Sequence, residues 1–269
     1  MKRLIAIAII MIASINVMKA QDFHFGATAG LNLSNMTDLG QTQFIINTQI
    51  HKNTPTTAMI EGFHFGGLVN YKINDHFSID GSLLYTTCGA KINSNVPATN
   101  ISEDAINETV NVTTTPYTLS SIYNLSYFQI PILAKYKLVN GLNFFAGPYL
   151  GILLSAKEND ASYSYSLTNT ILTTGSPDQI NTYPFDIPST SNTINKGIEI
   201  NRYSMGLAFG VGYQLPIGLD FSAKYSLDLT NIFPKASSDY NQIFEDGVSA
   251  WGKSGVIGIS VSYLFGMKK

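Results

Sequence analysis

The sequence contains a single cysteine, Cys88, and no other sulfur partner for a disulfide bond. A disulfide scaffold is therefore excluded, and no cysteine follows the N-terminal apolar run where a lipid-anchored protein would carry one. Charge is also sparse, at 13% of residues. Any stability of an exported form must come from its secondary structure rather than from covalent links.

The first 20 residues have the order of a secretory signal peptide. Lys2 and Arg3 precede an apolar run over residues 4–17, and Lys19-Ala20-Gln21 follows. The run is shorter than the ~20 residues that a spanning helix needs, so an N-terminal membrane anchor is the weaker alternative. We predict a signal peptide at residues 1–20, cleaved after Ala20, and one domain at residues 21–269.

The mature chain is acidic and rich in aromatic residues. Removal of Lys2, Arg3 and Lys19 leaves 13 basic and 18 acidic residues, a net charge of −5. This balance provides no basic surface and excludes nucleic acid as a partner. With 15 Tyr, 15 Phe and 22 Gly residues, the composition is typical of a transmembrane barrel. A soluble β-sandwich is the alternative.

The alternation of apolar and polar residues is clearest between Tyr127 and Leu154. Even positions from Phe128 to Leu138 are apolar, whereas the odd positions include charged or amide side chains. The same parity resumes after the turn at 139–141, so both strands share one continuous apolar face. Six apolar residues outward per strand is the length required to cross the hydrocarbon layer.

This predicted hairpin contains two prolines in neighbouring pairs of the ladder. Pairing Leu138 with Leu142 places Pro131 opposite Tyr149 and Ile132 opposite Pro148. Because proline has no N–H donor, we predict a bulge or a gap in the ladder there.

Six other segments show the same period of two, which gives eight predicted strands. The eight predicted strands span residues 23–33, 62–73, 77–87, 127–138, 142–154, 202–215, 219–230 and 254–265. Long polar connections follow the odd-numbered strands, and turns of about three residues follow strands two, four and six, which is the asymmetry of outer-membrane barrels. We predict an all-β fold: a transmembrane antiparallel up-and-down β-barrel of eight strands, with short periplasmic turns and long extracellular loops in the outer membrane. Alternation at 162–167 leaves ten strands as the alternative.

Several segments also carry a family pattern. They are FHFGATAGLNLSN after the signal, YFQIPILAKYKL followed by FFAGPYLGILL, GLAFGVGYQLPIGL, and a last strand that ends in Tyr-x-Phe. The chain resembles the PorT-like outer-membrane β-barrel proteins of Bacteroidetes. The resemblance implies a barrel of about eight strands. The eponymous member is tied to protein secretion and gliding machinery, but membership does not carry that role across.

The end of the chain resembles the aromatic last-strand signal that the barrel assembly machinery reads. Gly258 and Tyr263-x-Phe265 carry this likeness, although residues 266–269 follow the final Phe. Outer-membrane lipid and the assembly machinery are therefore expected partners.

The charged residues of the predicted strands lie at inward positions. Since the interior of an eight-stranded barrel is just wide enough for side chains to fill, we expect these groups to pair across the lumen. The register of the first short turn, with Ile73 opposite Phe77, predicts an ion pair between Lys72 and Asp80. The predicted polar network consists of Lys72, Asp80, Lys135, Lys137, Arg202, Asp220, Lys224 and Asp228.

A narrow channel or ligand pocket lined by the same residues is the alternative to a filled lumen. The small inward residues of the sixth strand leave room either for long opposing side chains or for a thin water path. They are Gly206, Ala208, Gly210 and Gly212.

The four histidines do not form a catalytic or metal-binding set. His24 begins the first strand at the periplasmic end, whereas His64 begins the second at the external end; His51 lies in a loop and His76 in a turn. Without His, Ser and Asp at one depth, neither nucleophilic catalysis nor a zinc site is supported. We expect a non-enzymatic protein without a cofactor or metal.

The long connections are the remaining place for function. They are rich in Asn, Thr and Ser, and they are longer than strand connection requires. Aromatic residues in them are candidate anchors for an envelope protein or a surface ligand: Tyr117, Tyr163, Tyr165, Tyr183, Phe185, Tyr240, Phe244 and Trp251. We predict a structural or interaction component of the cell envelope; the alternative is a narrow porin or transporter for small polar solutes.

Overall fold

The computed structural model describes residues 23–39, 42–46, 49–105, 108–160, 163–173, 179–187, 190–193, 200–233 and 252–266. The predicted signal peptide and the loop residues Tyr240, Phe244 and Trp251 lie outside these ranges. No helix within them is both long and apolar enough to cross a membrane.

Eight long strands form a closed antiparallel ring. Numbered in chain order, they are β1 Phe23–Thr37, β2 Ile60–Lys72, β3 Phe77–Val96, β4 Tyr117–Lys137, β5 Leu142–Asp160, β6 Tyr203–Gln214, β7 Leu219–Asp228 and β8 Lys253–Leu264. Each strand pairs with the next along the chain. Pairing of β8 with β1 closes the ring, which satisfies the backbone groups that would otherwise be exposed to lipid. The predicted eight-stranded up-and-down barrel is confirmed.

The outer surface of the ring is apolar, as the alternation predicts. Leu31 on β1 is paired with Ile259 on β8, and their side chains are 71% and 67% exposed. Aromatic pairs lie near the short turns, including Phe77 and Tyr136, whose ring centroids are 4.8 Å apart. Exposed apolar side chains in such continuous rows are stable only against hydrocarbon, with aromatic residues at the interface.

Local sequence explains the tight turns. Between β2 and β3 the Asn74 side-chain oxygen accepts hydrogen bonds from the backbone N–H groups of His76 and Phe77, at 2.9 and 2.8 Å. Between β4 and β5, Asn140 and Gly141 have positive φ values of 71° and 90°. Asn and Gly tolerate this left-handed conformation best. The first turn thus follows from the side-chain acceptor of Asn74, and the second follows from the backbone freedom of Asn140 and Gly141.

The opposite end of the barrel is taller on one side. β3, β4 and β5 have 20, 21 and 19 residues, whereas β6 to β8 have 10 to 12. The short strands Thr56–Ala58 and Thr190–Thr193 pair with the outer ends of β3 and β5. These extensions raise part of the wall beyond the membrane-spanning ring.

Two loops combine into a separate external sheet. Its four antiparallel strands lie in the order Gln179–Ile187, Tyr163–Thr173, Glu108–Thr114 and Thr99–Ala105. Residues from the loop after β3 therefore pair with residues from the loop after β5. Residues 163–167 of the alternating segment belong to this external hairpin rather than to the ring, so the ten-stranded alternative is wrong.

The ladder is interrupted at both prolines. On either side of the gap between β4 and β5 the register is unchanged, with Ala146 opposite Ala134 and Tyr149 opposite Pro131, but the pairs expected between them are missing. Between β3 and β4 the ladder also skips Pro131. The predicted gap is confirmed. A bulge between Leu153 and Ser155 was not predicted, and it shifts the inward parity of the outer part of β5.

An apolar cluster lies at the external end of the barrel. Short contacts tie the segment after β7 across the opening: Ile232 donates its N–H to the Gly252 oxygen at 2.8 Å and accepts from the Asn201 N–H at 2.8 Å. The Phe233 ring packs edge-on against Tyr123 with 5.7 Å between centroids. The buried members of this cluster are Met36, Cys88, Ala90, Tyr123, Leu125, Tyr127, Ala156 and Ile232.

Candidate functional site in the barrel interior

The periplasmic half of the lumen contains an ion cluster centred on Lys135. Its ammonium lies 2.7 Å from Asp80 Oδ2 and 3.1 Å from Asp220 Oδ2, which joins β4 to β3 and β7. The three side chains are 4–13% exposed. Because the pair partners come from three strands, the cluster fixes the cross-section of the barrel at this level.

Two amides complete this cluster. Asn70 donates from Nδ2 to Asp80 Oδ1 at 2.5 Å, and Asn143 donates from Nδ2 to Asp220 Oδ2 at 3.3 Å. Carboxylates held in a low-dielectric interior require such additional donors. The alternation places Asn70 and Asn143 inside but does not identify their partners.

The predicted ion pair between Lys72 and Asp80 is wrong, although the predicted register is right. Lys72 lies opposite Ser78, as expected. Its ammonium instead contacts Asp75 Oδ1 at 2.7 Å in the exposed turn. Asp80 points deeper into the lumen, where Lys135 satisfies it, so the side chain of Lys72 extends towards water.

Among the described residues, three further basic members of the predicted network form no ion pair: Arg202, Lys137 and Lys224. Arg202 precedes β6 at the external rim and is exposed, because the strand begins only at Tyr203. Lys137 is partly buried at the periplasmic end of β4, and no ion pair joins it to another residue of the described ranges. The network is therefore smaller than the sequence predicted.

A neutral histidine network lies further along the lumen. His64 Nδ1 is 2.8 Å from Asn32 Oδ1, and its Nε2 is 2.8 Å from Ser260 Oγ. An amide oxygen only accepts, so Nδ1 carries the proton and Nε2 accepts from the serine hydroxyl. Asn32 in turn donates to Thr86 Oγ1 at 3.0 Å. His64 is thus a satisfied structural residue that joins β1, β2, β3 and β8.

Aromatic residues of β5 fill the space that the glycines of β6 leave. Phe145 lies directly opposite Gly210, where an added Cβ would be 2.6 Å from its ring. Tyr149 lies opposite Gly206 in the same way. Of the two uses predicted for these small residues, the structure favours accommodation of long opposing side chains.

Asp228 forms the third polar cluster, towards the external end. It accepts hydrogen bonds from the Tyr149 and Ser204 hydroxyls, each at 2.5 Å, so Oδ1 has two donors. The sequence pattern predicted Asp228 inside, but nothing in it singled out Tyr149 or Ser204 as its partners.

A small cavity separates these clusters. The volume accessible to water is about 20 Å³, which accommodates about one water molecule. Its lining includes Asn32, Gln129, Tyr149, Lys224, Ser226 and Asp228. Among the described residues no group of His, Cys, Asp and Glu has an arrangement that would hold a metal ion.

The comparison with protein families agrees with this architecture. A family model described as outer membrane protein β-barrel domain matches residues 19–234. No curated protein sequence matches the chain. Among solved structures, similarity is found to Ail, the attachment invasion locus protein of Yersinia pestis, at 10% identity over 91% of this chain and 99% of that chain, with a TM-score of 0.34.

Two other solved structures are similar at the same low level. Neisserial surface protein A is 13% identical over 90% of this chain and 96% of that chain, with a TM-score of 0.30. CarO of Acinetobacter baumannii is 13% identical over 86% and 95% of the two chains, with a TM-score of 0.26. Because these scores are low, the assignment depends on the family match and on the closed strand pairing. The chain belongs to the outer membrane protein β-barrel domain family and is a protein of the outer membrane.

Proposed function

We propose that this barrel is a non-enzymatic membrane anchor that presents its external sheet to an envelope protein or surface ligand, and not a solute channel. The filled lumen is the observation that carries this proposal. The Lys135 cluster, the aromatic residues over glycines and the apolar external cluster occupy much of the described interior, and a cavity of about 20 Å³ lies among them.

The external sheet supports the interaction role. Strand pairing joins residues that are far apart in sequence, for example Thr113 with Thr168. Within its hairpin, Tyr165 lies opposite Phe185 and Leu167 opposite Tyr183. A four-stranded sheet exceeds what the connection of two strands requires, and aromatic residues such as those at these positions are frequent anchors in protein interfaces.

Electrical recordings test the first half of the proposal. The refolded mature protein in a planar bilayer should give no stable openings, since no path for a hydrated ion passes the packed interior. Reproducible unit conductances would overturn the proposal and favour the narrow porin or transporter.

Site-specific crosslinking in cells tests the second half. Ile180, on the external sheet, has a side chain that is 67% exposed and suits a photo-crosslinking residue. We expect one discrete adduct that disappears when 99–114, which hold the other two strands of the external sheet, are replaced by a short linker. Ile217, exposed in the periplasmic β6–β7 turn, is the matched control. No adduct, or equal adducts at both positions, would contradict a loop-based role.

We further propose that the chain is a PorT-like barrel of Bacteroidetes that is exported by a cleaved signal peptide. The segments that carry this resemblance coincide with β1, the β4–β5 hairpin and the β6–β7 hairpin. N-terminal sequencing of the protein from outer membranes should begin at Gln21. A chain that retains residues 1–20 would overturn the signal-peptide proposal.

A further inference from the structure

Three side chains with hydrogen-bond donors meet at the interior cavity without protein partners. They are Lys224 and Ser226 on β7 and Gln129 on β4. Within the described part of the chain, no hydrogen bond or ion pair satisfies the Lys224 ammonium, the Gln129 amide or the Ser226 hydroxyl. An ammonium, an amide and a hydroxyl around one small space are a donor set suited to an anion.

The carboxylates of β7 do not neutralise Lys224. Asp220 and Asp228 are each four residues from it, about 13 Å of extended strand at ~3.3 Å per residue. Asp220 already binds Lys135 and Asn143, and Asp228 accepts from two hydroxyls. A positive charge enclosed in the barrel without a counter-charge is costly.

The size of the cavity limits the counter-charge to one small particle. About 20 Å³ accommodates a single water-sized species and excludes a carboxylate or phosphate. We infer that a monovalent inorganic anion of halide size binds here, held by the Lys224 ammonium, the Gln129 amide and the Ser226 hydroxyl. Repulsion by Asp228 places it at the Lys224 end of the cavity.

This anion would link strands that do not pair. β4 and β7 are separated in the ring by β5 and β6. A shared ligand therefore adds a cross-lumen contact in the region between the Lys135 and Asp228 clusters. The bound halide acts as a structural ion and stabilises the folded barrel by mass action.

Bromide gives a direct test. Crystals of the detergent-solubilised full mature protein grown in sodium bromide should show an anomalous peak within hydrogen-bonding distance of Lys224 Nζ. Crystals of Lys224→Met should lack it. A wild-type structure with no peak there, or a peak that persists in Lys224→Met, would overturn the assignment.

Unfolding in matched salts provides the second readout. Urea unfolding of the refolded protein should require more urea in sodium bromide than in sodium gluconate at the same ionic strength, since gluconate is too large for the cavity. Lys224→Met should lose this difference, whereas Lys137→Met, which removes a lysine away from the cavity, should keep it.

A second variant keeps the test decisive if Lys224→Met does not fold. Gln129→Leu removes one donor and should raise the bromide concentration of half-maximal effect by roughly tenfold. Equal anion dependence of wild type and Gln129→Leu would show that Gln129 is not a ligand and overturn the proposed donor set. No anion dependence of the wild type would show that water alone fills the cavity.

Discussion

Tyr149 on β5 packs over Gly206 on β6, where a Cβ on the glycine would lie 2.4 Å from the tyrosine hydroxyl. The same Cβ would lie 2.3 Å from the backbone oxygen of Leu227 on the other side. The absence of a side chain at Gly206 thus admits the Tyr149 ring to the lumen. It also positions the hydroxyl that donates to Asp228.

Gly206→Ala should destabilise the barrel. The added methyl group displaces Tyr149 and strains the hydrogen bond to Asp228, and overpacking of this kind costs about 1–3 kcal/mol. The measurement is the free energy of unfolding in urea of the protein refolded in detergent micelles. Gly67→Ala is the matched control, because its Cβ would face outward with only the Gly26 oxygen as near as 4.0 Å. Equal losses in the two variants would show that the Tyr149 contact is irrelevant.

Lys135→Met should be the most destabilising single substitution in the ion cluster. It leaves Asp80 and Asp220 enclosed without their shared cation, and a broken buried pair typically costs about 3–5 kcal/mol. The unfolding free energy at neutral pH is the readout.

A charge-neutral combination separates electrostatics from packing at this site. Lys135→Met with Asp80→Asn and Asp220→Asn should recover a large part of the loss, since no charge then remains unpaired. Lys137→Met should have little effect. If the triple variant is no more stable than Lys135→Met, lost packing rather than charge explains the destabilisation.

For Lys72, the strand register could be predicted from the sequence, but the ion-pair partner could not. Alternation and the turn sequence correctly placed Lys72 opposite Ser78, because strand register follows from local turn geometry. Partner choice depends on how far each flexible side chain reaches. Lys72 forms its ion pair with Asp75, which is nearer because it lies in the adjoining turn. Asp80 forms its ion pair with Lys135 on another strand.

The Lys72 and Asp75 pair gives a prediction for pH dependence. The hydrogen bond and the positive charge of Lys72 hold the pKa of Asp75 below its ordinary value. A depressed folded-state pKa contributes stability above the unfolded pKa of ~3.9, and this contribution is lost as the pH falls through the folded pKa. The contribution is small because the pair is exposed.

Lys72→Met should therefore raise the pKa of Asp75 towards its ordinary value. Carboxyl-carbon NMR of the protein in micelles measures this pKa directly. Lys137→Met is the control and should leave it unchanged. A pKa of Asp75 that does not move in Lys72→Met would show that the ion pair does not form in solution.

The lipid-facing half of the fold was predictable because contact with hydrocarbon requires apolar side chains at the outward positions of every strand. Leu31, Phe144 and Ile259 face outward as their parity requires. The interior follows no such rule: Tyr149 binds Asp228 across strands far apart in sequence. Pairing of Thr113 with Thr168 likewise joins two loops that no local pattern connects.

The gap at Pro148 leads to the last prediction. Pro148 faces outward on β5, and the ladder to β4 stops beside it while the register on both sides is kept. An unchanged register means that only the proline donor is missing, not that the strands are displaced. Pro148→Val supplies an N–H and an apolar outward side chain. It should add one ladder hydrogen bond and stabilise the barrel by about 1 kcal/mol.

Amide hydrogen exchange locates this effect. Exchange at residues 132–134 on β4 should slow in Pro148→Val, because a bonded ladder opens less often. Pro216→Val, in the β6–β7 turn, is the control. It should not slow exchange on β4, and it should not increase the free energy of unfolding. The gap between β3 and β4 should persist in Pro148→Val, since Pro131 remains. Unchanged exchange at 132–134 would mean that side-chain packing holds the two strands apart there, and that the missing proline donor is not the cause of the gap.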